Sequence, residues 1–248
     1  MGSCVHGGQW LLALQLFDHM KANAIDTTII TYNTALAACE RGACWRGALD
    51  VLEGLSTSSV QPSVISFSIA ARACQLAEKW AFVLLLLERM RLNELRPNEV
   101  AHGAAAKALW TAGFEAAAAH ALREAHRLDG AFPWCRLVPD GLAVKIDLHN
   151  EASKVVGADI SKVAVHAALE DAALLSRDLI IVTGQGRRSE GGESVLRPMV
   201  LEYLCDELGL GAFVLQENAG RVVVPVRGLA HWRGETMEGG VRAAHGHN

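Results

Sequence analysis

The chain has 248 residues, 51% hydrophobic and 20% charged, enough apolar material for one large core or two smaller ones and too much for a disordered chain. The formal net charge is -4, with Lys and Arg balancing Asp and Glu over residues 1–136 and residues 137–232 carrying the deficit. Bulk attraction to nucleic acid is thereby excluded, so any such binding must use local patches. The opening MGSCVHGGQWLLALQLF lacks the charged start and cleavable core of a secretory leader, and the longest apolar run, WAFVLLLL, is too short to cross a bilayer.

In chain order the first feature is a period. Cys4, Cys39 and Cys74 stand thirty-five residues apart, and Trp10, Trp45 and Trp80 follow the same spacing, as do Met20, Leu55 and Met90, and Ala13, Ala48, Val83 and Ala118. Fixed self-similarity at this length predicts an α-α solenoid of helical hairpin repeats over residues 1–136: a partial first unit, two clear units and one degenerate, alanine-rich unit. The three periodic cysteines belong to the repeat and not to a ligand set. Cys44, Cys135 and Cys205 show no C-x-x-C spacing, so all six are expected as reduced, mostly packed thiols, with no metal.

Within a unit the helical phase is visible. ITYNTALAACERG, from Ile30 to Gly42, opens on polar residues suited to a helix N-terminus and closes on glycine. WRGALDVLEGL sets Trp45, Ala48, Leu49, Leu52 and Leu55 on one stripe. VQPSV and LRPNEV are the turns that restart the next pair, because proline stops one helix and can begin another.

ITYNTALAACERGACWRGALDVLEGLSTSSVQPS resembles a pentatricopeptide repeat in its TYN start, the Trp that opens its second helix and its closing P-S. VISFSIAARACQLAEKWAFVLLLLERMRLNELRPN resembles one too, closing on P-N. Tetratricopeptide repeats have a period one residue shorter and lack this ending. The resemblance implies single-stranded RNA as partner, each base read by two side chains of one repeat. Carried over by position, the reading pairs are Asn33 with Ser63, which would accept a pyrimidine, and Ser68 with Asn98, which would accept adenine. Gly103 in the third unit departs from the pattern, and degenerate repeats serving only as a scaffold are the alternative. The chain opens partway through a unit, which predicts repeats upstream.

From about Leu137 the period gives way to strand-helix alternation. GLAVKIDLHN reads as a strand, ISKVAVHAALEDAALLSR as an amphipathic helix and DLIIVT as a buried strand. GESVLRPMVLEYLCDEL reads as a second helix, and FVLQENAGRVVVPV as two strands joined at Asn218-Ala219-Gly220. The order βαβαββ predicts a two-layer α/β sandwich with a mixed sheet over residues 137–232, its parallel pair using the first helix as crossover. The tail, residues 233–248, has no core-forming pattern and is expected to be disordered.

Two motifs in this region carry chemistry. IIVTGQGRRSEGG leaves a buried strand through a G-x-G and two arginines toward a helix, a setting in which backbone amides and guanidinium groups meet an anion. It is neither a P-loop nor a dinucleotide fingerprint, since it lacks the G-K-S/T ending and has Ser189 at the third glycine's place. In IDLHN, Asp147 and His149 are two apart on a strand and share a face, where the carboxylate can fix the imidazole for acid-base work; a polar strand end is the bland alternative.

Together these motifs resemble the small MutS-related (Smr) domain, with Ile146-Asp147-Leu148-His149 standing for L-D-x-H and Thr183-Gly184-Gln185-Gly186 for T-G-x-G. The resemblance spans about residues 140–230 and implies nicking or cleavage of nucleic acid. Pentatricopeptide proteins that end in such a domain form a group found largely in organelles, plastid ahead of mitochondrion. No Arg- and Ser-rich transit peptide stands at this start, which leaves a cytosolic place open.

In the nuclease reading His149 is the general base oriented by Asp147, while Thr183, Gly184, Gly186, Arg187 and Arg188 hold the phosphate. No carboxylate cluster marks a two-metal site, so no cofactor is expected and a Mg²⁺ requirement stays open. The alternatives are a non-catalytic RNA-binding adaptor that docks other RNA-processing or organelle gene-expression proteins, and DNA nicking. None of these readings involves a membrane.

Overall fold

The computed structural model describes residues 1–58, 60–129, 138–140, 143–148, 153–184, 194 and 196–232. It divides into two units, Met1–Ala131 and Phe132–Asn248.

In the first unit the period becomes four helix pairs: α1 (Gly2–His6) with α2 (Trp10–Ala22), α3 (Ile29–Arg41) with α4 (Trp45–Thr57), α5 (Val64–Leu76) with α6 (Trp80–Leu92), and α7 (Glu99–Thr111) with α8 (Glu115–Asp129). The repeat fixes where each first helix starts. Thr28, Ser63 and Asn98 hold the N-cap of α3, α5 and α7, all in extended backbone; Ser63 accepts from the Ser66 amide and Asn98 from the Ala101 amide. It also fixes where those helices stop. Gly8, Ala43, Glu78 and Gly113 have positive φ, and the amide one residue beyond each bonds back to the carbonyl of Cys4, Cys39, Cys74 or Leu109. This is the Schellman turn, repeated four times.

The first helices stack side by side, α1 on α3, α3 on α5 and α5 on α7, with the second helices packed behind them. The main core that results runs from Phe17 to Ala108, with Leu36, Leu52, Leu55, Phe67, Leu86 and Met90 fully buried, and Val5, Ala13 and Ala38 form a smaller cluster beside it. Of the stripe expected on α4, Ala48, Leu52 and Leu55 are buried, while Trp45 and Leu49 pack against the core edge. Gly42 is required by a close approach: a Cβ there would lie 2.7 Å from the Trp10 ring. Of the cysteines, Cys39 and Cys74 are buried, Cys4 and Cys44 partly so, and Cys205 is exposed; Cys135 lies outside the described residues.

The second unit is a five-stranded mixed sheet of β1 (Val138–Asp140), β2 (Ala143–Asp147), β3 (Asp178–Val182), β4 (Phe213–Leu215) and β5 (Asn218–Val224), in the order β1-β2-β3-β5-β4. β2 and β3 run parallel, joined by α9 (Ser153–Leu175), and the other pairs are antiparallel. α9 packs on β2 and β3; α10 (Leu196–Glu202) packs on α9 and β5 and runs into a π-helical turn, Tyr203–Glu207. The strands alternate accordingly, with Val144, Ile146, Leu179 and Ile181 buried beneath the helices.

Three features differ from the sequence reading. β1 is an additional edge strand; Pro139 within it hides it from a strand pattern. The β4–β5 turn is Gln216–Glu217 and not Asn218-Ala219-Gly220, because Leu215 pairs with Asn218 and Gly220 is already a buried strand residue. Asn218 uses its side chain within the strand, its Oδ1 accepting from the Gly220 amide at 3.1 Å. Residues 226–232 form a further helical stretch, and Val226 at its start donates its amide to Asp178 Oδ1 at 2.8 Å. The tail, residues 233–248, lies outside the described residues.

Candidate functional site

In the helical unit, residues thirty-five apart fall on one line across α3, α5 and α7. Equivalent positions of the three helices therefore stand side by side: Ile30, Ile65 and Val100; Asn33, Ser68 and Gly103; Ala37, Arg72 and Lys107, of which Ile30, Ile65 and Arg72 are exposed and Ser68 and Gly103 are buried. A groove of about 670 Å³ opens over α1, α3 and α5, and Ile30, Asn33, Arg41, Arg72 and His6 lie along it.

The structure brings each expected reading pair together. Asn33 Oδ1 accepts from Ser66 Oγ at 2.8 Å, and Ser66 forms the capping box with Ser63, so Asn33 and Ser63 are joined through one intervening hydroxyl. Ser68 Oγ lies 2.8 Å from Asn98 Oδ1, a direct contact across two units, and 2.7 Å from the Val64 carbonyl, so a single proton is divided between two acceptors. Asn98 Oδ1 also accepts from the Ala101 amide at 3.0 Å, which fixes the orientation of its amide: the oxygen is inward and engaged, leaving Nδ2 as the donor. Ser68 is only 3% exposed, so within its pair Asn98 is the accessible member.

Two features of this face escaped the sequence reading. Ile30 and Ile65 are 74% and 59% exposed, large apolar side chains at identical register, one turn before Asn33 and Ser68. Their signal was present as the same spacing that revealed the cysteines, but an isoleucine in a helix reads as core. Arg72 was missed as well. It forms an ion pair with Glu40 at 2.9 Å across neighbouring units, which holds the guanidinium over the groove.

In the second unit, Asp147 ends β2 and is exposed; it pairs in register with Val182 of the parallel β3. The Leu148 amide extends that ladder by bonding the Val182 carbonyl at 2.9 Å. Directly after β3, Thr183 is buried, its amide bonding the Gly220 carbonyl at 2.8 Å. Gly184 follows with φ +75°, a conformation that strains any residue with a Cβ. The Thr183 carbonyl accepts from Ser194 Oγ at 2.9 Å, and Ser194 Oγ in turn accepts from the Arg197 amide, tying the end of β3 to the start of α10 through Ser194. Asp147, Thr183 and Gly184 thus share the carboxyl end of the parallel pair, the edge at which ligands meet open α/β sheets. His149, Gly186, Arg187 and Arg188 lie outside the described residues.

Among the described residues no group of three or more His, Cys, Asp or Glu side chains could hold a metal ion, and no helix is long and apolar enough to cross a membrane.

No protein-family model matches the chain, and no curated protein matches it. Solved structures do. The maize pentatricopeptide repeat protein PPR10, crystallised with an 18-nucleotide psaJ RNA element, aligns with a TM-score of 0.51 and 18% identity over 68% of this chain and 22% of that one. The pentatricopeptide domain of Arabidopsis thaliana protein-only RNase P 1, crystallised with tRNA, aligns with a TM-score of 0.50 and 19% identity over 71% of this chain and 86% of that domain. This chain therefore spans about a fifth of the length of PPR10. At such identities the likeness is one of fold: the helical unit is a hairpin solenoid like that of pentatricopeptide proteins.

Proposed function

We propose that this chain binds single-stranded RNA along the stacked face of α3, α5 and α7, and that its second unit is an Smr-type domain that cleaves the bound strand. The observation that carries the RNA reading is the pairing of Asn33 with Ser63 and of Ser68 with Asn98 at one register of successive units, flanked by the exposed Ile30 and Ile65. Each unit thereby offers a polar edge for hydrogen bonding beside an apolar surface for a base face. Arg72 and Arg41 serve the backbone phosphates. The crystallised neighbours, each a pentatricopeptide protein with RNA, support this reading.

Cleavage is supported by the placing of Asp147 beside Thr183-Gly184 at one sheet edge. In this reading Asp147 orients His149, which takes the proton of a water or of the ribose 2′-hydroxyl. The amides of Gly184 and Gly186, with Arg187 and Arg188, stabilise the charge that develops on the phosphate. An organelle, plastid ahead of mitochondrion, is the proposed setting. A second reading, an adaptor without catalysis, draws on the acidic balance of residues 137–232, which disfavours a polyanion outside the arginine loop.

The test is a gel assay in which the protein and its His149→Ala variant meet end-labelled single-stranded RNA, with Mg²⁺ and with chelator, beside the equivalent DNA. Cleavage of RNA lost in the variant, with binding kept, supports the nuclease. Binding without cleavage under every condition replaces it with the adaptor, and an RNA affinity no better than that for DNA removes the RNA reading.

A further inference from the structure

The Schellman turn that ends each first helix sets two side chains against one another: that of the residue whose carbonyl is bonded and that of the residue whose amide bonds it. In the four units these pairs are Cys4 with Gln9, Cys39 with Cys44, Cys74 with Lys79, and Leu109 with Phe114. Among these four the pair of α3 and α4 alone places a thiol at both positions. The Cys44 amide bonds the Cys39 carbonyl at 2.9 Å and the Ala43 amide bonds the Glu40 carbonyl at 3.1 Å, so the backbone is already folded back between the two sulfurs.

A second observation concerns Gly47, one helical turn into α4. Equivalent positions in the other units hold Leu12, Phe82 and Ala117. A Cβ at Gly47 would lie 3.0 Å from Cys44 Sγ and 3.3 Å from Cys39 Sγ. Both sulfurs thus border the same point, and the missing side chain leaves them the space to approach each other. Cys39 is buried, whereas Cys44 at the N-cap of α4 is partly exposed.

We propose that Cys39 and Cys44 are a redox-responsive pair that closes to an intramolecular disulfide, with Cys44 the entry sulfur and Cys39 the resolving one. The oxidant is a low-molecular-weight disulfide. The Cys44 thiolate attacks one of its sulfurs, forming a mixed disulfide and releasing one thiolate. Cys39 then gives up its proton to solvent and attacks the Cys44 sulfur, releasing the second thiolate; the two protein thiols lose two electrons and the small disulfide gains them. Closure staples the end of α3 to the start of α4, directly beside Glu40 and Arg41 of the groove. Burial, followed by the neighbouring Cys44, pushes the Cys39 thiol up to about 12, so the second step accelerates with rising pH.

The test uses the full chain equilibrated with glutathione and glutathione disulfide, quenched in denaturant with a maleimide and digested with trypsin. Cleavage after Arg41 falls between the two cysteines. The expected result is peptide 22–41 linked to peptide 42–46, two hydrogens lighter than the free pair and separated by reductant, with Cys74 carrying the maleimide and no glutathione. Cys39→Ser should trap glutathione on Cys44, and Cys44→Ser should leave Cys39 free. Glutathione retained on wild-type Cys44 with Cys39 alkylated, a link from Cys44 to another cysteine, or both thiols alkylated in glutathione disulfide alone would each overturn the proposal.

Discussion

In the proposed reading Asn98 carries two duties that substitution can separate. Its Oδ1 caps α7 through the Ala101 amide at 3.0 Å and accepts from Ser68 at 2.8 Å, while its Nδ2 is the donor left to meet a base. Asn98→Ala removes the cap, which costs about 1 kcal/mol. Ser68 keeps the Val64 carbonyl, so no buried hydroxyl is orphaned and little is added to that figure. For a unit of this size the melting temperature should fall by about 4 °C, followed by circular dichroism. Asn98→Asp keeps an oxygen at the cap and places a negative charge at a helix N-terminus, so stability should hold. The same change replaces the donor by a second acceptor. The loss of one base contact, about 1–3 kcal/mol, should weaken binding of an adenine-containing single strand by about 5- to 150-fold in fluorescence anisotropy. An Asn98→Asp protein that binds this RNA like the wild type would refute the reading role, and an Asn98→Ala protein with an unchanged melt would refute the cap.

Three further outcomes follow from the same geometry. Leu52→Ala, at a fully buried position of the shared core, should destabilise the helical unit by about 2–5 kcal/mol in urea titration; a loss under about 1 kcal/mol would mean that the core relaxes around the void. Glu40→Gln releases Arg72 from its ion pair, so RNA should bind more tightly and with a steeper salt dependence, and an unchanged slope would place Arg72 away from phosphate. Burial holds the Cys39 thiol at about 12 and the Cys74 thiol at about 11, whereas unfolded thiols ionise near 8.5. The folded chain thus keeps protons that the unfolded chain loses. This contribution is complete below about pH 8.5 and disappears as pH rises toward 11 and 12. Between pH 8 and 11 the urea midpoint under reducing conditions should fall more in the wild type than in Cys39→Ala/Cys74→Ala, and parallel curves would contradict the burial.

The helical unit was legible because its period repeats every local decision. Thr28, Ser63 and Asn98 cap helices at one register, and the turns at Ala43 and Glu78 recur with the same backbone bonds, so each unit corroborates the next. Position within the repeat also led to Asn33, Ser63, Ser68 and Asn98, but not to how they are used. That Ser68 is buried and that Asn98 Oδ1 is consumed by a cap depend on the neighbouring helix, which no single unit encodes. In the sheet unit β2, α9 and β3 were readable from apolar alternation, whereas β1 has three residues including a proline. Asn218-Ala219-Gly220 has turn composition but spends it otherwise: Gly220 offers the carbonyl that takes the Thr183 amide, so the chain must already be strand at that point.

Two complete reading pairs set a ceiling on what this solenoid can do by itself. At about 1–3 kcal/mol per base the pairs yield at most about 6 kcal/mol, against an association cost of about 4–15 kcal/mol. The phosphate contacts proposed for Arg41 and Arg72 would add to this, yet Glu40 offsets one of them. A strand held only by α3, α5 and α7 would therefore bind weakly and exchange quickly. In the proposed reading Arg187 and Arg188 are a chemically suited source of further phosphate contacts, since a tethered second contact acts at an effective concentration in the millimolar range. On this view the two units are interdependent in binding before any question of cutting arises. Substituting Arg187 and Arg188 together should weaken RNA binding even under conditions that block cleavage, whereas a protein that loses only its nuclease activity would confine those arginines to the reaction.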